Sequence, residues 1–177
     1  MTSRSLSTLG LATRYLLDTN IFIAAWRDHY PIDLYPGFWA CLERFVHEKR
    51  ILSLDRVQKE IAGPKELVIW LRHNWRGAFA STRDPDVTGA FSKIHDWVQS
   101  NSQFLSAAKH EFARNADGWL VAYAKVHSAI LVTNEVYNEE VRRRVPLPNL
   151  CRKFGVEVCN TIGMLRGLGV AFDLRVL

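Results

Sequence analysis

Apolar residues fall along this chain in two kinds of run, and their alternation predicts the architecture. Short continuous runs closed by polar residues read as buried strands. These are Tyr15-Leu16-Leu17 ahead of Asp18-Thr19-Asn20, Ile51-Leu52-Ser53-Leu54, Ala129-Ile130-Leu131-Val132-Thr133 and Val156-Glu157-Val158-Cys159. Between them, apolar positions recur at helical spacing. A helical turn over 21–26 follows the first strand, with Asn20 as its N-cap. Phe38, Cys41, Leu42, Phe45 and Val46 define one face of a helix that starts near Pro36. Asp55 can cap a helix over 56–61, and Gly63-Pro64 ends it and opens another whose buried side holds Leu67, Val68, Leu71 and Trp75. Residues 76–86, with Gly77 and Pro85, read as a loop, and 87–99 and 107–114 as helices. The stretch 117–126 is apolar on almost every side, as in a helix that lies deep in a domain. A short helix over 149–154 closes at Gly155, and Thr161 caps a last one that Gly169 ends.

Strands that alternate with helices predict an α/β domain with a mainly parallel sheet. The chain has 177 residues and no internal repeat or low-complexity linker, which fits one domain over 15–177 against a prior of roughly 150 residues per domain. Residues 1–14 are rich in Ser and Thr, hold two arginines and no acid, and lack an apolar signal-peptide centre; a disordered leader is expected there.

Composition narrows the functional classes. An apolar share of 48%, with six Trp and nine Phe, is enough for a packed core and argues against disorder. The formal net charge of +5 favours a polyanionic partner, of which nucleic acid is the commonest, although many proteins carry such a charge without one. The three cysteines, Cys41, Cys151 and Cys159, include no Cys-x-x-Cys pair, so reduced thiols in an intracellular protein are expected rather than a disulfide framework or a zinc site. No apolar run approaches the roughly 20 residues of a transmembrane helix, and a cytoplasmic location is expected.

The candidate chemistry lies at strand ends, where ligands gather in parallel sheets. One strand ends at Asp18-Thr19-Asn20 and another at Thr133-Asn134-Glu135, and the deep helix opens with Asp117. Right-handed crossovers bring these segments to one edge. Clustered carboxylates repel one another unless they take up protons or share a cation. Ligands that are all oxygen suit Mg²⁺ or Mn²⁺ rather than zinc. Each acid alone has a plain structural explanation. Asp18 could be a turn or cap residue, Asp117 could complement a helix dipole, Glu60 could be an ordinary exposed glutamate, and any loop may hold a residue such as Glu135. Their joint placement carries the argument.

Four segments in order resemble the motifs of PIN-domain nucleases: Tyr15-Leu16-Leu17-Asp18-Thr19-Asn20-Ile21-Phe22-Ile23, Val57-Gln58-Lys59-Glu60-Ile61, Ala116-Asp117-Gly118-Trp119-Leu120-Val121-Ala122-Tyr123-Ala124 and Val132-Thr133-Asn134-Glu135. The Tyr30-Pro31 loop, Phe38-Trp39 and Cys151-Arg152-Lys153-Phe154-Gly155-Val156 are similar to a prokaryotic PIN-like, VapC-like toxin subgroup formerly described only as a domain of unknown function. The resemblance implies a three-layer α/β/α sandwich with a sheet of four or five strands. It further implies cleavage of single-stranded RNA dependent on Mg²⁺ or Mn²⁺, the toxin role in a toxin–antitoxin pair, an antitoxin protein as partner, and a homodimer. Asp18, Glu60, Asp117 and Glu135 are then the catalytic and metal-binding residues, with Thr19, Asn20, Thr133 and Asn134 in support. One departure stands out: many PIN nucleases have Asp at the fourth position, where this chain has Glu135. The longer side chain would reach a metal through water or not at all, and Asn134 could share the role.

Lys109, His110 and Arg114 precede the third motif, and Arg142-Arg143-Arg144 follow the fourth. These could contact phosphates, or the arginine run could be a solvated face paired with Glu139 and Glu140. Trp39 and Trp119 read as core rather than as base-stacking groups, and His95 and His127 have no nucleophile nearby, which leaves no hydrolase triad. Two other functions stay open. A PIN-like RNA- or partner-binding module with a decayed site is one. A phosphatase with Asp18 as nucleophile is the other, although such enzymes carry a second Asp two residues on, where this chain has Asn20.

Overall fold

The computed structural model describes residues 12–173, so most of the leader expected over 1–14 lies outside the described residues. Strand β1 (Tyr15–Leu17) is the centre of a five-stranded sheet ordered β3-β2-β1-β4-β5. It pairs in parallel with β2 (Ile51–Leu54) on one side and β4 (Ile130–Val132) on the other. The outer strands β3 (Phe79–Ala80) and β5 (Val158–Cys159) are also parallel to their neighbours. Leu16 and Leu17 are fully buried, as a central strand covered on both faces requires. Ser53, the polar residue of β2, is equally buried and donates its hydroxyl hydrogen to the Leu17 carbonyl at 2.6 Å.

Helices flank this sheet. α1 (Thr19–Ala24) runs on into a wider π-type segment, Ala25–His29. Then come α2 (Pro36–His47), α3 (Asp55–Glu60), α4 (Lys65–Asn74), α5 (Pro85–Ser100) and α6 (Ser106–Phe112). The last three are α7 (Asp117–His127), α8 (Leu147–Phe154) and α9 (Thr161–Gly167). The run from Leu120 to Ala124 is buried, in keeping with its apolar sequence. Trp119 instead lies at the margin of the core, stacked on Phe91 with ring centroids 3.8 Å apart and with the Arg56 guanidinium 4.5 Å over its ring. Gly118 lets α7 approach so closely: a Cβ there would stand 2.7 Å from Phe112 Cζ and 2.9 Å from Phe91 Cε2. The start of α7, and Asp117 with it, is therefore seated on two aromatic rings.

The structure departs from the sequence pattern in several places. A strand, β3, occupies part of the loop expected over 76–86. It has only two residues, too few for any period to show, and its position is set by pairing with β2 rather than by its own sequence. Asp18, not Asn20, precedes the first helical turn of α1. Asn160, not Thr161, caps α9, and its side chain accepts the Gly163 N–H at 2.8 Å. α8 begins at Leu147 because Pro148 is tolerated in a first turn, where its missing N–H is no loss. The expected last strand is reduced to Val158–Cys159. The cysteines are free thiols, with Cys151 buried and the other two half-buried. No helix among the described residues is long and apolar enough to cross a membrane.

Topology fixes where a site can form. The chain lays down β1, β2 and β3 in one direction, then crosses back to place β4 and β5 on the other side of β1. The direction of winding changes between β1 and β4, and a crevice opens beyond the carboxyl ends of two such strands. Asp18 and Thr133 directly follow those ends.

Candidate active site

Asp18 is 2% exposed. Its Oδ2 accepts the Thr133 hydroxyl at 3.0 Å, a bond that ties the end of β1 to the end of β4. Burial pushes its carboxyl from 3.8 up to about 6, opposed by the Thr133 hydrogen bond and reinforced by the Glu135 charge. Backbone N–H groups of Thr19 and Asn20 also favour its ionised form.

Asp117 opens α7 and is half-buried. Its carboxyl lies well above the ordinary carboxylate value, first through burial and then through the charges of Asp18, Glu135 and Glu60. Four carboxylates from distant parts of the chain thus act on one another at one edge of the sheet. Asn115 grips Asp117 from two residues upstream: its Nδ2 donates to Asp117 Oδ2 at 2.8 Å, and its Oδ1 accepts the Asp117 N–H at 3.2 Å. Sequence reading missed Asn115, although an Asn two residues before an acid at a helix start is a recognisable turn signal.

The two glutamates are held differently. Glu60 closes α3; its Oε2 accepts the Thr19 hydroxyl at 2.5 Å and its Oε1 the Ala116 N–H at 2.6 Å. Glu135 Oε2 accepts the Leu147 N–H at the start of α8 at 2.9 Å, and Arg144 stands 3.7 Å from Oε1. The Glu135 N–H donates to Thr133 Oγ1 at 3.2 Å, so one hydroxyl links Glu135 to Asp18.

Thr19 and Thr133 therefore touch the acids through their hydroxyls, and Asn20 through its backbone. Asn134 does not join them. Its Oδ1 accepts both the N–H and the hydroxyl of Thr161 at 3.1 Å, which commits its only acceptor oxygen to the start of α9. The basic residues also divide. Lys109 Nζ donates to the Gln99 carbonyl at 2.7 Å, and Arg142 Nε to the Gln103 carbonyl at 3.3 Å. Arg144 faces Glu135, not Glu139 or Glu140. Arg143 is exposed, and exposed Arg114 lines a cleft beside Glu60.

Residues 15–172 match the family described as a domain of unknown function (DUF4411). The chain belongs to the DUF4411 family. None of the curated proteins matches it. Among solved structures, this DUF4411 chain is similar to a chain of the crystal structure of VapBC2 from Rickettsia felis bound to a DNA fragment from their promoter. The TM-score is 0.51 at 16% identity, over 84% of this chain and 98% of the other. At that identity the likeness is one of fold.

The donor set of this DUF4411 site consists of oxygens alone. Asp18 and Asp117 form a crowded inner pair, and Glu60 and Glu135 stand around it with their oxygens engaged by backbone N–H groups. Among the described residues, no three acids, histidines or cysteines are grouped closely enough to form a metal site as they stand. The chemistry fits a hard divalent cation all the same, because such an ion relieves the repulsion that raises Asp18 and Asp117. Asp18 and Asp117 could hold it, and the glutamates could close on it by exchanging their present partners.

Proposed function

We propose that this protein is a PIN-type endoribonuclease, dependent on Mg²⁺ or Mn²⁺, that hydrolyses phosphodiester bonds of single-stranded RNA. The observation that carries this reading is the convergence of Asp18, Glu135 and Glu60 on Asp117, whose carboxyl is raised first by burial and then by their charges. The net charge of +5 and the fold likeness to a VapBC2 chain support it. In the cell it would act in the cytoplasm as the toxin of a toxin–antitoxin pair, as a homodimer neutralised by an antitoxin protein.

Asp18 and Asp117 would hold the cation, with Glu60 and Glu135 at its margin. Bound there, a hard cation supplies positive charge at a phosphoryl oxygen and makes a nearby water more acidic. The protein's own groups do the rest. Thr133 and the first N–H groups of α1 fix Asp18, and Asn115 fixes Asp117 through its Oδ2. One of the carboxylates, together with the cation, would orient the attacking water and make it a nucleophile. Glu60, oriented by Thr19 and Ala116, lines the neighbouring cleft.

Asp18→Asn is expected to lower cleavage of single-stranded RNA in Mn²⁺ by on the order of a thousandfold or more while the circular dichroism spectrum is kept. Undiminished cleavage by this variant, or by the wild type in excess EDTA, would sink the reading. A second reading is a PIN-like RNA- or partner-binding module without catalysis. The engagement of Glu135 by Leu147 and Arg144 favours it, since both oxygens already have partners. Calorimetry separates the two, because a binding module takes up no Mn²⁺ at millimolar metal.

A further inference from the structure

A cleft of about 710 Å³ lies between the end of α3 and one face of α6. Glu60 forms one wall; Ala107, His110, Glu111 and Arg114 line the other, and Asn115 lies at the inner end. The cleft and the acid site share two residues. Glu60 belongs to both, and Asn115 lines the cleft while its carboxamide grips Asp117. A polymer with a reacting group at Asp18 and Asp117 therefore places its neighbouring unit in this cleft.

The lining tells what that unit is. It is largely carbon, with Ala107 leaving the middle of the α6 wall without a polar head. Its polar groups include Ser106 and an acid, Glu111, beside the basic His110 and Arg114. A groove for phosphates alone would not carry Glu111 and Glu60. A flat group with apolar faces and hydrogen-bonding edges fits this arrangement, and a nucleobase is such a group. Glu111 accepts hydrogen bonds only, so it favours a base edge that presents an amino group. His110 near the end of α6, and Arg114 in the turn after it, are placed for the phosphate that follows.

We propose that this cleft is a base-binding subsite, which receives one unstacked nucleobase of single-stranded RNA next to the reacting phosphate, with Glu111 reading its amino edge. The proposal rests on the nuclease reading for the position of that phosphate. Arg114 then contacts substrate, whereas Lys109 and Arg142 are engaged in holding the fold.

Ala107 is exposed, so Ala107→Trp fills the cleft without entering the core. Binding of fluorescent single-stranded octamers of each of the four bases to the full chain is measured by anisotropy. Mn²⁺ binding by calorimetry and the melting temperature serve as controls. Ala107→Trp is expected to weaken RNA binding by about tenfold or more with both controls kept, and Glu111→Gln to remove a preference of about tenfold for cytosine over uracil. Unchanged RNA binding in Ala107→Trp, a wild type without preference for cytosine over uracil, or a cytosine preference that survives in Glu111→Gln, overturns the subsite. A wild type that binds no RNA overturns it together with the nuclease reading. A wild type that binds RNA without cutting it in Mn²⁺ defeats the nuclease reading alone, and the subsite is then decided by the two variants.

Discussion

The four acids at the sheet edge form two pairs with opposite characters. Asp18 and Asp117 sit inside, where burial first, and then the charges of neighbouring acids, raise their proton affinity. Glu60 and Glu135 sit outside, and each receives a backbone N–H beside a helix start, Ala116 ahead of α7 and Leu147 in α8. The inner pair stores unfavourable charge, and the outer pair stabilises the start of α7, which carries Asp117, and the start of α8. A crowded acid and an acid that serves the fold thus stand side by side, and removing each should have effects of opposite sign on stability.

Replacing an inner acid gives the largest effect. Asp117→Asn is expected to abolish RNA cleavage, by a thousandfold or more, and yet to raise the melting temperature of the metal-free protein by several degrees. A fall in melting temperature would mean that the inner charges are not a burden on the fold, and the contrast between the pairs would be lost.

The second effect is a pH dependence. Asp18 binds its proton more tightly in the folded protein, at about 6, than at the ordinary value of 3.8. Between these values the folded state holds more protons than the unfolded one, so stability falls as pH rises through that window. The loss is on the order of 3 kcal/mol from Asp18, and Asp117 adds to it with the same sign. Urea unfolding between pH 4 and pH 7.5 in EDTA would follow the loss, and millimolar Mn²⁺ should restore stability at the upper end. A flat profile, or one unaffected by the metal, would break the comparison.

The smallest effects sharpen the outer half. Glu60→Ala leaves the Ala116 N–H without its acceptor and is expected to cost about 1–2 kcal/mol in urea unfolding, the reverse of the inner variants. Asn134→Ala should cost about 1 kcal/mol through the start of α9 and leave the rate of RNA cleavage within twofold of the wild type. A large loss of activity in Asn134→Ala would return that residue to the acid site.

What could be read from the sequence follows the range of the forces involved. The strands around Leu16 and Leu131 were legible because burial on both faces demands an unbroken apolar run. Asp18 and Asp117 were legible as candidates because each sits where such a run gives way to polar residues. The hydrogen bonds were not. The bond from Ala116 to Glu60 spans 56 residues, and the pair of bonds from Thr161 to Asn134 spans 27, and nothing local to either residue announces its partner. β3 was illegible for a related reason, since its two residues become a strand only by lying against β2. Arg144 was open to phosphate contact or to pairing along its own segment, and it turns back to Glu135.

One bond has a consequence for how the protein is made. Asp18 emerges from the ribosome early, but Thr133, which anchors it, follows 115 residues later. A nascent chain that has not yet delivered β4 holds its first acid without a clamp and lacks Glu135 altogether. If the protein is the nuclease proposed above, a fragment released before β4 would carry an incomplete acid site and would cut nothing.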